Sequence, residues 1–117
     1  MSLRLPIAAI TDEFAVDLDK TLDSMQSLGM TGAELRMVFG KNVMLLSDDE
    51  VKAFTNACKS RGITVIGLST PILKCVLPDG PPLDERFHQD IFGSKNTIED
   101  QPRLLDRAVE VAHLSGA

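Results

Sequence analysis

The sequence predicts an α/β protein built from successive β/α units, and three observations carry that prediction. Short apolar runs of strand length alternate with stretches in which apolar residues recur every three or four positions. Glycines stand where helix passes to strand, at Gly29 and Gly62. Their separation of 33 residues is about one β/α unit. Around each glycine the order is the same, helix end, glycine, then strand, in 28–35 (LGMTGAEL) and 60–67 (SRGITVIG).

Residues 5–11 (LPIAAIT) are apolar and too short for a helix, which predicts a buried parallel strand. Phe14, Leu18, Leu22, Met25 and Leu28 then follow helical spacing up to Gly29, a C-terminal glycine cap. A second strand fits 33–38 (AELRMV), followed by the turn-like Gly40-Lys41-Asn42. Ser47 and Glu50 have the spacing of a capping box, opening a helix that carries Val51, Phe54 and Cys58 on one face. The third strand is 63–69 (ITVIGLS), rich in β-branched residues. From 71 to about 99 the pattern lapses around Pro71, Pro78, Gly80, Pro81 and Pro82, a length that suits a lid or binding loop. A last helix fits 101–114, with Pro102 in its first turn and Leu104, Leu105, Ala108, Val111 and Ala112 on its buried face.

Composition narrows the function. The net charge of −5 gives nothing to attract a phosphate backbone, so nucleic acid is not an expected partner. No run approaches the roughly 20 apolar residues of a membrane helix. The N-terminus lacks the apolar core of a signal peptide, and the cytoplasm is the expected compartment. Trp and Tyr are absent, which argues against flat aromatic platforms for bases or sugars. Cys58 reads as a small buried hydrophobe, and Cys75 either lines a pocket or lies inert in a loop. No disulfide is expected between them. The nucleotide-loop, nucleophile-elbow and zinc-helix motifs GxGxxG, Walker A, GxSxG and HExxH are all absent.

Several segments in this order look familiar: Thr11-Asp12-Glu13-Phe14, Gly32-Ala33-Glu34-Leu35-Arg36, Gly40-Lys41-Asn42-Val43, Ser69-Thr70-Pro71-Ile72-Leu73-Lys74-Cys75, and Arg107 to Ala112 followed by Gly116. Together they resemble the xylose isomerase-like TIM-barrel superfamily, in its branch of sugar phosphate isomerase/epimerase-like proteins. The resemblance implies a (β/α)8 barrel of which residues 1–117 are the N-terminal part of a single domain, covering about the first three β/α units. A fourth strand would follow Gly116, and an unclosed sheet edge is otherwise left. The family implies one divalent ion, Mn²⁺ or Mg²⁺, that stabilises an enediolate while a proton moves between neighbouring carbons of a small sugar or sugar phosphate. Its metal ligands come from later strands, so none falls on this chain.

In such barrels the active site lies at the C-terminal ends of the strands. That rule selects Thr11, Asp12 and Glu13, then Glu34 and Arg36, then Ser69 and the loop to Cys75. Glu34 and Arg36, two apart on the expected strand, would share a face, either contacting substrate oxygens or forming an ion pair within the barrel. Asp12 and Glu13 either face substrate or favour the N-terminus of the next helix. Lys74 either binds a phosphate or carboxylate or is a solvated loop lysine. His88 either reaches the site from a lid or sits on the surface, and His113 has no assigned role. The leading expectation is therefore a substrate-binding set of Glu13, Glu34, Arg36, Ser69, Lys74 and His88 in part of a metal-dependent isomerase or epimerase, with a homo-oligomer open. Two alternatives remain: a non-catalytic truncated barrel that binds a small ligand or a partner through its open sheet edge, and an abasic-site endonuclease of the same superfamily. The acidic charge weighs against the endonuclease.

Overall fold

The computed structural model of the protein describes residues 5–75, 77–80 and 96–117; His88 and the rest of the 81–95 stretch lie outside the described residues. The architecture is mixed α/β with a small parallel sheet. The chain divides into two units: residues up to Thr70 together with Ala108–Ala117, and Pro71–Arg107.

In the first unit β1 (Ala8–Ile10), α1 (Leu18–Ser27), β2 (Gly32–Leu35), β3 (Met37–Val38), β4 (Lys41–Asn42), α2 (Asp48–Lys59) and β5 (Thr64–Leu68) follow in order. The last helix, α3 (Gln101–Ser115), begins in the second unit and ends in the first. Strands β1, β2 and β5 form a parallel sheet in that spatial order. Helices α1 and α2 make the crossovers that parallel neighbours require. The register sets Ala8 beside Gly32, Ala9 beside Ala33 and Ile10 beside Glu34.

Three boundaries differ from the sequence expectation, each for a local reason. The first strand is only Ala8–Ile10: Pro6 has no N–H to give a ladder, and Thr11–Glu13 tightens into a 3₁₀ turn. Helix α1 starts at Leu18 rather than Phe14, because Asp17 accepts the Lys20 N–H at 2.8 Å and caps the helix there. The second strand is broken after Leu35. Met37–Val38 turns back as an antiparallel hairpin on Lys41–Asn42, closed by a 2.8 Å bond from the Val43 N–H to the Arg36 carbonyl.

The hairpin turn has φ of 53° at Phe39 and 71° at Gly40, the two positive values of a type I′ turn. Phenylalanine is a poor residue for the first position, since its Cβ crowds the left-handed backbone. Phe39→Asn should stabilise the protein by about 1 kcal/mol, read as a higher midpoint in urea.

Ser47 and Glu50 form the expected capping box: the Glu50 N–H donates to Ser47 Oγ at 3.2 Å and the Ser47 N–H to Glu50 Oε2 at 2.8 Å. Lys41 bonds the other oxygen of Glu50 at 2.7 Å, and with the Ser47 N–H it holds that carboxyl below the usual glutamate range. The helices α1, α2 and α3 end alike. Gly29, Gly62 and Gly116 adopt positive φ, and the next N–H reaches back five residues: Met30 to Met25, Ile63 to Cys58, Ala117 to Ala112. This is the Schellman motif, which satisfies carbonyls that the helix end leaves free.

The core lies on one side of the sheet. Ala33, Leu35, Ile63 and Val65 are buried with Leu22 and Met25 of α1 and Val51, Phe54 and Cys58 of α2. Burial pushes the Cys58 thiol up to about 12, so it carries no nucleophilic thiolate at neutral pH. On α3, Leu104, Ala108 and Val111 are buried while Leu105 is 52% exposed. The other face of the sheet carries Thr64 and the 56% exposed Ile66.

In the second unit Gln101 is the organising residue. Its Oε1 accepts the Leu73 N–H at 2.8 Å and its Nε2 donates to the Thr97 carbonyl at 3.1 Å, so one buried side chain ties two loop segments.

Candidate functional site

The C-terminal ends of β1 and β2 bring three of the expected residues together. Arg36 leaves the sheet immediately after β2 and reaches the 3₁₀ turn after β1. Its Nε and Nη2 donate to Asp12 Oδ2 at 3.0 and 2.8 Å, and Nη2 also donates to Glu13 Oε1. Asp12 uses its second oxygen as well, since Oδ1 accepts the Met37 N–H at 3.2 Å. Asp12 thus fastens the turn after β1 to the segment after β2 through a side chain and a backbone donor at once. The two carboxylates raise the Arg36 pKa further, first through the bond from Asp12 and then through that from Glu13.

This arrangement revises two expectations. Arg36 does not share a strand face with Glu34, because β2 ends at Leu35; its ion partners are Asp12 and Glu13, and no Glu34–Arg36 bridge forms. Asp12 and Glu13 do not sit at the N-terminus of α1, which Asp17 caps instead.

Glu34 remains in β2, opposite in direction to the buried Ala33 and Leu35, and so on the face that carries Thr64 and Ile66. It is half-buried, and its side chain has no hydrogen bond or ion pair among the described residues. The sheet makes room for it. The β2–β5 register slips between Ala33 and Glu34, so that Ala33 faces Val65 but Glu34 faces Gly67, with Ile66 as the extra residue. A Cβ on Gly67 would lie 4.0 Å from Glu34 Cγ. A half-buried carboxylate without a partner is unfavourable unless a polar ligand or water completes it.

Ser69 lies at the end of β5, where its N–H donates to the Leu35 carbonyl at 2.7 Å and continues the β2–β5 pairing. Lys74 belongs to the second unit, with its N–H bonded to the Pro71 carbonyl, and Cys75 is half-buried in the same unit. His88 lies outside the described residues. His113 sits in the last turn of α3, at the end of the fold remote in sequence from the strand termini.

Sequence reasoning missed the cross-strand partnership of Arg36. Nothing in the spacing of Asp12, Glu13 and Arg36, 24 and 23 residues apart, signals it. It also missed Arg61, which bonds Asp19 at 2.8 Å and Asp23 at 2.6 Å and pins the end of α2 to α1. Among the described residues no three His, Cys, Asp or Glu side chains converge as a metal site would require, and no helix is long and apolar enough to cross a membrane. Compared with known proteins, the chain matches no family model, no curated sequence and no solved structure.

Proposed function

We propose that this chain is the N-terminal part of a TIM-type barrel of the xylose isomerase-like superfamily, and that it contributes substrate-binding groups to an isomerase or epimerase acting on a small sugar or sugar phosphate. Glu34 carries the reading: an unpartnered, half-buried carboxylate near the C-terminal end of the central strand, on the face where a barrel would hold its ligand. The parallel order of β1, β2 and β5 and the helices between them support the same architecture. The carboxylate accepts hydrogen bonds from vicinal hydroxyls. Arg36, with Nε and Nη2 committed to Asp12 and Glu13, keeps Nη1 to donate to a hydroxyl or carbonyl oxygen.

In the family that the chain resembles, a divalent ion supplies the charge that stabilises an enediolate. The residues described here do not make a site for it, and its ligands would come from later strands. The part this chain plays is to bind and orient the sugar.

The test is a titration of the protein with pentoses, hexoses and their phosphates, followed by amide chemical shifts. Shifts centred on Glu34, Gly67 and Ser69 are expected. Glu34→Gln should weaken binding about tenfold, the usual worth of a charge-assisted hydrogen bond. Shifts elsewhere, or an unchanged affinity in the variant, would defeat the proposal.

A second reading, a non-catalytic barrel segment that pairs through its sheet edge, draws on β5. It is an edge strand among the described residues, and its Ile66 is 56% exposed. Binding of a β/α partner without any sugar response would favour it.

A further inference from the structure

We infer that the small cavity between the turn after β1, the start of α1 and the β3–β4 hairpin is a built site for one water molecule, anchored on the hydroxyl of Thr11. Thr11 opens that turn and is 2% exposed. Its Oγ1 is shielded from solvent and has no hydrogen-bond partner among the described residues. A threonine hydroxyl can donate once and accept twice, and leaving it unbonded in the interior is unfavourable. Folded proteins satisfy such groups with protein atoms or with ordered water. Here the room for a water lies beside the hydroxyl: Thr11 lines a cavity with Asp12, Ala15 and Thr21, and with Met37 and Phe39 of the hairpin.

Size and charge identify the occupant. The cavity gives the centre of a water molecule a volume of about 10 Å³, which suits a single water and is too little for an organic ligand. Asp12 is the only charged residue in the lining, and Arg36 already matches it, so no surplus charge favours a cation. A buried water needs two to four polar partners. Thr11 is the first. Thr21 brings a second hydroxyl, which donates to the Ala15 carbonyl at 3.0 Å and keeps its own lone pairs to accept. The Ala15 carbonyl retains a second lone pair. A water bonded to these groups ties the turn after β1 to α1. It thereby steadies the segment whose Asp12 and Glu13 hold Arg36, whatever the sheet end binds.

A high-resolution crystal structure of the whole chain and the stability of Thr11→Val test the inference together. The structure is expected to show an ordered water about 2.7–2.8 Å from Thr11 Oγ1, with Thr21 or Ala15 as a further partner. Valine keeps the shape of threonine and removes only the hydroxyl. If that hydroxyl holds a water, Thr11→Val loses the bond and leaves the water short of a partner. The unfolding equilibrium constant, measured in urea, should then rise about fivefold. An unbonded hydroxyl gives the opposite sign, because its removal relieves a buried polar group. A dry cavity, a Thr11 hydroxyl bonded directly to a protein atom, or a variant as stable as its parent or more so would overturn the inference. Should Thr11→Val fail to fold, the structure of the parent chain decides the question by itself.

Discussion

Phe54→Ala is expected to cost about 3–5 kcal/mol of stability, enough to leave a domain of ordinary stability close to unfolding. Phe54 is fully buried on α2, which packs on both β5 and α1. Truncation removes a large apolar side chain from water-free surroundings and leaves a cavity on the helix that packs against both β5 and α1. Such a site closes poorly, since no single element can shift to fill it without losing contacts to the others. Leu105→Ala is the matched control. Helical spacing puts Leu105 on a buried face just as it does Phe54, but Leu105 is 52% exposed, and its truncation should change stability by less than about 0.5 kcal/mol. Urea unfolding of both variants, followed by circular dichroism, checks the pair. Equal losses would mean that the core does not lie between the sheet and α2.

That contrast shows what periodicity can resolve. An apolar residue every three or four positions identifies a helix and the side it buries, which is why α2 and its capping box were legible from Ser47, Glu50, Val51, Phe54 and Cys58. It does not set the width of the buried stripe. On α3 the stripe is narrow, running through Leu104, Ala108 and Val111, and Leu105 falls outside it. The strands were legible as existing but not in extent. The run Ala33–Val38 is apolar enough to read as one strand, yet the Phe39-Gly40 turn folds its end back on Lys41 and Asn42. A turn of this type with phenylalanine in place of the usual asparagine or aspartate gives little local signal.

The candidate site was legible to the same degree. The rule that barrel chemistry gathers at the C-terminal ends of strands picks out Asp12, Glu13, Glu34 and Arg36 from sequence alone. Which of them pair is a question of distances across the sheet, and sequence spacing is silent on it. Because β2 ends one residue before Arg36, the guanidinium turns to the neighbouring strand's turn, and Glu34 is left without an ion partner. One residue of strand length therefore decides whether Glu34 is part of an internal ion pair or lacks one among the described residues.

The position of Glu34 depends in turn on how β1 sits against β2, and Gly32→Ala tests that directly. A Cβ at residue 32 would stand 2.7 Å from the Cβ of Ala8 and 3.3 Å from Cγ2 of Ile66, well inside the 3.5–4.0 Å at which carbon atoms rest. The substitution should cost about 1–3 kcal/mol through overpacking, despite the better strand propensity of alanine. Ala8→Gly alone should cost about 0.5–1 kcal/mol, the price of glycine within a regular element. Combined, the two substitutions trade the methyl group from one strand to the other across the Ala8–Gly32 pair. The double variant should therefore recover most of the Gly32→Ala loss, with a coupling of about 1 kcal/mol or more, and only the contact with Ile66 left to relax. Strictly additive losses would place Ala8 away from Gly32 and shift β1 along β2, carrying Ile10 away from Glu34. Amide shifts of Glu34 in the two single variants then report whether the crowded seam or the relaxed one moves the carboxylate on which the proposed sugar binding rests.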